Sequence, residues 1–255
     1  MSTKRSAKLS DDGSADVQGA RTNTGCVLTL ILADAELELV PPDIEGHPAI
    51  RASAKKRGRS PTSMLLDSSL HHPALRNAPE GERRGRPDIV HICVLLALDS
   101  ILNEEGRLRT IVHTRNDDVI RFASETRIPK NYTRFVGLME DLFAKGQVPE
   151  ATPLIRQERG MSLRELLVEC SGESWAFAEG GTSVVLRTAI PRVKSDLVVV
   201  IGGFPHGSFR SPVADLCDRV VSIHPGGLKA WTVASEILVA YRTFSRKTGV
   251  AKTKG

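Results

Sequence analysis

The chain has 255 residues, 40% hydrophobic and 25% charged, the proportions of a globular protein with one large domain or two small ones. A wholly disordered or fibrous chain is excluded, and no apolar run reaches the roughly 18 residues of a membrane span, so no membrane partner is expected. Lys plus Arg is 35 against 30 for Asp plus Glu, a formal charge of +5 that permits nucleic-acid binding without requiring it.

Residues 1–25 are Ser, Asp, Gly, Lys and Thr with almost nothing to bury and read as a disordered tail. Behind Lys4 and Arg5 there is no apolar core, so no secretory leader is expected and a cytoplasmic location follows. Residues 26–255 form the folded domain. The run CVLTLILADAELELV begins almost wholly apolar, then alternates, and reads as a strand broken by Pro41 to Asp43. Arg51 to Arg59 holds five basic residues and no acid; Gly58 and Pro61 place it in a loop, within an insertion of about 47–85. It is either a solvated basic loop or a phosphate-contacting arm. HHPALRNAPEGERRGRPD continues as a long polar loop.

Asp88 to Asn103 reads as a buried helix with Asp88 as its N-cap, and Arg107 to Arg115 as a strand. Arg127 to Lys145 reads as a helix with Pro129 in its first turn and a stripe of Tyr132, Phe135, Val136, Met139, Leu142 and Phe143. Ser162 and Glu165 form a capping box opening a short helix to Cys170. Ser174 to Ala178 and Ser183 to Leu186 are possible strands, and Asp196 to Gly202 is a strong buried one. A short helix over Pro212 to Asp218 precedes the strand RVVSIH, and Ala230 to Phe244 is an amphipathic helix with Trp231, Ala234, Ile237, Leu238 and Tyr241 on one face. Alternating strands and helices predict an α/β class with a largely parallel sheet.

Cys26, Cys93, Cys170 and Cys217 are far apart with no CxxC pair, which points to reduced thiols rather than a zinc site or disulfide framework. Adjacent His71 and His72 point apart and have no ligand set around them, so no metal is expected. His206 lies inside a glycine turn and His113 at a strand end.

Chemistry concentrates in three places. The strand ending at Gly202 runs into IGGFPHGSF, with Gly202, Gly203 and Gly207, and the next strand runs into IHPGGL at Ile223 to Leu228. Glycine turns at the carboxyl ends of parallel strands suit a small-molecule pocket lined by main chain; the alternative is two tight turns that only reverse the chain. The pattern is neither GxGxxG nor a GK[ST] phosphate loop. Arg127, Lys130 and Arg134, spaced 3 and 4 apart, would lie near one helical face over roughly 10 Å, a spacing that could span successive phosphates or be a solvated face. Arg86 and Asp88 flank Pro87, where the carboxylate can hold the guanidinium in one orientation, cap the next helix, or both.

Taken together, HHPALR, GRPDIVHICVLLALDS, LRTIVHTR, RIPKNYTRFVGLMEDL, IGGFPHGSF and AWTVASEILVAYR resemble the Nep/Emg family of the SPOUT superfamily, methyltransferases of small-subunit ribosome biogenesis acting on pseudouridine. The resemblance runs from about Cys26 to Arg242, and FPHG looks like the archaeal branch. It implies a SPOUT fold with a C-terminal trefoil knot and a homodimer in which Trp231, Ile237 and Tyr241 serve interface as much as core. It implies that Gly202, Gly207, Ile223, His224, Pro225, Gly226, Gly227 and Leu228 contact S-adenosyl-L-methionine. Arg86 would contact substrate rRNA with Asp88 orienting it, and Arg127, Lys130 and Arg134 would grip the RNA. Lys130 stands where the family usually has arginine, which keeps the charge but loses the bidentate fork. HPGGL differs from many relatives' turn, and an upstream cofactor contact near Trp175 to Gly181 is unassigned.

The implied function is methylation of nitrogen-1 of a pseudouridine in small-subunit rRNA. No general base is assigned, because an Asp88 paired with Arg86 would be a poor one. The alternatives are an RNA-binding assembly factor with methylation secondary, or a SPOUT enzyme acting on another RNA nucleoside.

Overall fold

The computed structural model describes residues 27–190 and 196–249, with side chains through residue 244; the expected tail and Cys26 lie outside the described residues. Strand β1 (Leu28–Ala35) is buried along its whole length. Leu28, Leu30 and Leu32 face one hydrophobic cluster while Ile31 and Ala33 face another, so the run is apolar at both parities. The chain then leaves the sheet. Glu36 and Glu38, the polar positions of the expected alternation, are buried rather than solvated.

The basic segment is a helix, not a loop: α1 (Pro48–Arg57) starts at an N-cap, His47, whose ring accepts from the Ala49 N–H, and ends at Gly58 in the left-handed region. Gly58 is thus a helix C-cap, and Pro61 opens a short 3-10 turn. Helix α2 (Ser68–Leu75) takes in HHPAL, which was expected to be loop, with Pro73 inside it. In α3 (Pro87–Leu98), Arg86 is the N-cap and Pro87 the first residue, so Asp88 sits in the first turn and is not the cap. Ser100 caps a separate short helix, α4 (Ile101–Glu104), which divides the expected single helix.

Strands β2 (Leu108–Thr114) and β3 (Asp118–Phe122) follow. Helix α5 (Tyr132–Lys145) begins at Tyr132 rather than Arg127, because Asn131 accepts from the Arg134 N–H and takes the cap. Then come β4 (Gln147–Val148), β5 (Ile155–Arg159) and α6 (Leu163–Glu169), the last with the predicted capping box. One strand, β6 (Glu173–Ser183), with a register shift between Phe177 and Thr182, replaces two, and Leu186 belongs to α7 (Leu186–Ala189). The chain ends with β7 (Leu197–Gly202), α8 (Val213–Leu216), β8 (Arg219–Ser222) and α9 (Ala230–Gly249).

The eight strands form one sheet in the order β4-β5-β3-β2-β1-β7-β6-β8. The five strands from β2 to β8 pair in parallel, as expected of an α/β fold, whereas β3, β5 and β4 make an antiparallel edge. Helices α3, α5 and α9 supply the main core on one face, through Cys93, Phe135, Ile237 and Tyr241 among others. Leu163, Leu166 and Val213 cover the other face. A satellite cluster under α1 and α2 is built from Val40, Ile50, Met64, Leu66 and Leu75.

Candidate active site

Because β1, β7, β6 and β8 run in parallel, their carboxyl ends open on one edge of the sheet. The turn after β7 is tied to β1. The Gly203 N–H donates to the Ala33 carbonyl at 2.7 Å, and the Glu36 N–H donates to the Gly203 carbonyl at 3.0 Å. A Cβ on Gly203 would stand 2.7 Å from the Ala35 Cα, so only glycine lets the two backbones approach. Buried Asp34 holds the far end of the turn: its Oδ2 accepts from the N–H groups of Arg210 and Ser211 at 2.7 and 2.9 Å. Gly207 has φ +85°, again in the left-handed region.

The turn after β8 is exposed from His224 to Leu228. Its shape is internal: the Gly226 N–H donates to His224 Nδ1 at 3.0 Å, and Ser222 Oγ donates to the His224 carbonyl at 2.7 Å. The β6 strand lies between β7 and β8 and brings Glu179 against Gly227, where a Cβ would fall 2.2 Å from Glu179 Oε1. Gly181 packs on the Val221 backbone. The three chain ends thus combine glycine-stripped main chain with an exposed carboxylate, a surface able to hold a cationic ligand that lies flat on peptide groups.

Beside this edge is a cavity of about 980 Å³. Asp67, Ser69 and His72 of the α2 segment line one side; Arg86, Asp88 and Tyr132 line another, and His206 from the β7 turn closes it. Arg86 donates to Asp88 through Nε at 2.8 Å and Nη2 at 2.7 Å, the orienting pair read from the sequence. That hydrogen bond raises the guanidinium pKa further above its ordinary value. The Arg86 N–H donates to the Glu36 carbonyl at 2.9 Å. Buried Glu36 accepts from Arg83 and Arg115, and Glu38 accepts twice from Arg84 at 2.8 Å. These pairs bind the 76–86 segment to the sheet end, since a buried carboxylate without partners would be costly.

The expected cationic row is not on one helical face. Arg127 and Lys130 precede α5, and only Arg134 is on it; all three are exposed and none lines the cavity. Arg127 approaches Glu104 at 3.5 Å, while none of the ion pairs among the described residues includes Lys130 or Arg134. The residues Ile223 to Leu228 also lie outside the cavity wall. His71 is buried and accepts from the Asp67 N–H, with its pKa lowered mainly by burial. His113 is buried at the end of β2. No group of metal-ligating side chains occurs among the described residues. Cys93 is buried, with its thiol pushed up to about 12, mainly by desolvation. Cys170 and Cys217 are free thiols as well.

Arg83, Asp67 and Tyr132 as a cavity residue have no role foreseen from the sequence, whereas Glu179 falls in the Trp175 to Gly181 stretch whose cofactor contact was unassigned. The string EGG at Glu179 to Gly181, a third glycine pair, set within β6 at its register shift, was the available signal there.

The family model for EMG1/NEP1 methyltransferase matches residues 30–242. A ribosomal RNA small subunit methyltransferase Nep1 of Thermococcus onnurineus is 50% identical over 84% of this chain and 98% of its own length. One from Methanothrix thermoacetophila is 47% identical over 84% of this chain and 95% of its own length. The crystal structure of Archaeoglobus fulgidus Nep1 bound to S-adenosylhomocysteine superimposes with TM-score 0.77 at 37% identity, covering 87% of this chain and 99% of that one.

Proposed function

The chain belongs to the EMG1/NEP1 methyltransferase family, and on that premise we propose that it is an S-adenosylmethionine-dependent methyltransferase of small-subunit rRNA, acting on nitrogen-1 of a pseudouridine. The observation that carries this reading is the shared wall of the cavity, where the Arg86–Asp88 pair meets His206 of the glycine turn. His206 of the glycine turn and the substrate-side cation therefore border one space, and the proposed cofactor turns lie beside it, an arrangement that suits a transfer between two bound reactants.

Gly202, Gly207 and Ile223 to Leu228 are the proposed cofactor-binding residues. The fit rests on the close backbone approach at Gly203 and on the Glu179 carboxylate beside Gly227, a charge complement for a sulfonium. S-adenosylmethionine, when bound, supplies the electrophilic methyl group. Asp88 fixes the Arg86 fork so that it presents a preset pair of donors to an RNA phosphate or base edge. A base at the cavity floor has to leave its stack to reach this space. Arg127, Lys130 and Arg134, exposed beyond the cavity, are the proposed phosphate contacts that hold the flanking RNA.

The same reading carries a methyltransferase domain over 26–255, with 47–85 as an insertion, and a C-terminal trefoil knot. The sheet order supports the knot, since β7 enters between β1 and the earlier β6 before β8 returns to the far side of β6. A homodimer is supported by exposed Ile92 and Leu96 on α3 and Val239 on α9. Ile237 and Tyr241, expected to serve the interface too, are buried within the chain. A cytoplasmic place belongs to the same proposal; no helix among the described residues is long and apolar enough to cross a membrane.

Incubation with methyl-labelled cofactor and a small-subunit rRNA fragment, with uridine or pseudouridine at the target, tests the function. Incorporation only into the pseudouridine RNA is expected. Binding without incorporation would favour the assembly-factor alternative, and labelling of the uridine RNA would move the activity to another nucleoside.

A further inference from the structure

Tyr132 stands at the first turn of α5 with its ring in the cavity wall beside Arg86 and Asp88. Its hydroxyl donates to Asp67 Oδ2 at 2.6 Å. The other oxygen of Asp67 is committed elsewhere, accepting from the Ser69 N–H at 2.9 Å and Ser69 Oγ at 2.6 Å as the cap of α2. Asp67 is buried and held by its own helix, so it cannot turn away.

A phenol has one proton to donate and two lone pairs to accept with. Here the proton is spent on a carboxylate, the stronger kind of acceptor. In this cavity-lining residue the Tyr132 oxygen is therefore left as an acceptor only. Burial and the Asp67 hydrogen bond also push its pKa above the ordinary value, so it stays neutral and keeps that polarity.

Resting on the methyltransferase reading above, we propose that Tyr132, aimed by Asp67, is a positioning residue for the target nucleotide: its oxygen accepts an N–H from the edge of the flipped base while its ring borders the base plane. Among the groups that line the cavity, Arg86 offers donors only and suits carbonyl or phosphate oxygens. Tyr132 supplies a neutral acceptor, alongside the carboxylates that also line the wall. A pyrimidine such as pseudouridine presents carbonyls and ring N–H groups side by side, which this donor–acceptor pair would read together.

The two partners give a test that a merely structural role would not pass. Tyr132→Phe keeps the ring and loses the acceptor. Asp67→Asn keeps the cap, because the carboxamide oxygen remains on the Ser69 N–H; its NH₂ then faces Tyr132, and the phenol proton is turned into the cavity. Both variants should lower kcat/KM on pseudouridine RNA about tenfold or more, the loss of one to two hydrogen bonds' worth of positioning. S-adenosylhomocysteine affinity and melting temperature should stay close to wild type for Tyr132→Phe. Retention of wild-type kcat/KM by Tyr132→Phe overturns the inference. So does full activity in Asp67→Asn, since a reversed phenol would then serve equally well. Wild-type protein that leaves the pseudouridine RNA unmethylated sinks the functional reading itself, an outcome separate from active wild type with active variants.

Discussion

The guanidinium of Arg83 lies 4.4 Å from the centre of the Phe204 ring, and its Nη1 donates to the Ser208 carbonyl at 3.0 Å. One side chain thus holds the glycine turn after β7 at two points while Nε holds buried Glu36. Arg83→Ala should weaken S-adenosylhomocysteine binding about tenfold and cost about 1–3 kcal/mol of stability, since Glu36 keeps only part of its pairing. Arg83→Lys should recover much of the stability through Glu36 but little of the affinity, because an ammonium cannot reach Glu36 and Ser208 in fixed directions. Titration calorimetry and thermal melting separate the two effects. Unchanged affinity in Arg83→Ala would mean that the turn holds its shape unaided.

Gly202 and Gly203 should fail differently. At Gly202 an added Cβ meets the Phe204 ring at 2.5 Å, a side chain that can swing aside by giving up its place against Arg83. Gly202→Val should abolish cofactor binding with RNA affinity nearly intact. At Gly203 the obstacle is the Ala35 backbone, which cannot move without parting β1 from β7. Gly203→Ala should therefore lose about 1–3 kcal/mol of folding stability, the range for forced overpacking. If the melting temperatures of the two variants fall equally, the distinction between side-chain and backbone obstruction is wrong.

What the sequence revealed follows from what is local. The apolar strands, the Ser162–Glu165 capping box and the Arg86–Asp88 pair depend on neighbours a few positions away, and all were legible. The basic helix α1 was not, because its strongest reason for order is remote: Arg57 binds buried Glu140 at 2.6 and 2.7 Å, 83 residues along the chain. β3 and β5 were missed because DVIRF and IRQER carry charge, and Arg121 and Glu158 pair across the two strands instead of marking a surface loop. The helix start misplaced at Arg127 turned on a single competition, in which Asn131 as a cap outweighed Pro129 as a first-turn residue. The Tyr132–Asp67 contact spans 65 residues and left no trace in local pattern.

His71 should make stability depend on pH. Its Nδ1 accepts from the Asp67 N–H, which requires the neutral ring, and burial holds its pKa below the ordinary 6.5. The unfolded chain therefore binds the proton more readily than the folded one. The contribution is complete above pH 6.5 and is lost as pH falls below it, at no more than about 1.4 kcal/mol per pH unit for one proton. Melting curves from neutral to mildly acidic pH should slope less for His71→Gln than for wild type. Parallel curves would show that the ring protonates without cost.

Arg134 is the clearest case for an RNA contact among the three outlying cations, because it alone is held on a helix. It is exposed at the start of α5 with no ion-pair partner among the described residues, whereas Arg127 already leans on Glu104. A cation that meets a phosphate releases counterions, so binding weakens with salt at a slope of about 0.7 to 0.9 per phosphate contacted. Measured between roughly 50 and 200 mM salt, Arg134→Ala should weaken rRNA binding and reduce that slope by about one phosphate. Arg127→Ala should change it less, because Glu104 already offsets part of the Arg127 charge. Binding lines for wild type and Arg134→Ala that differ in height but run parallel would make Arg134 a general electrostatic contributor. Lines that coincide would make it ordinary surface and place the RNA on another face of the protein.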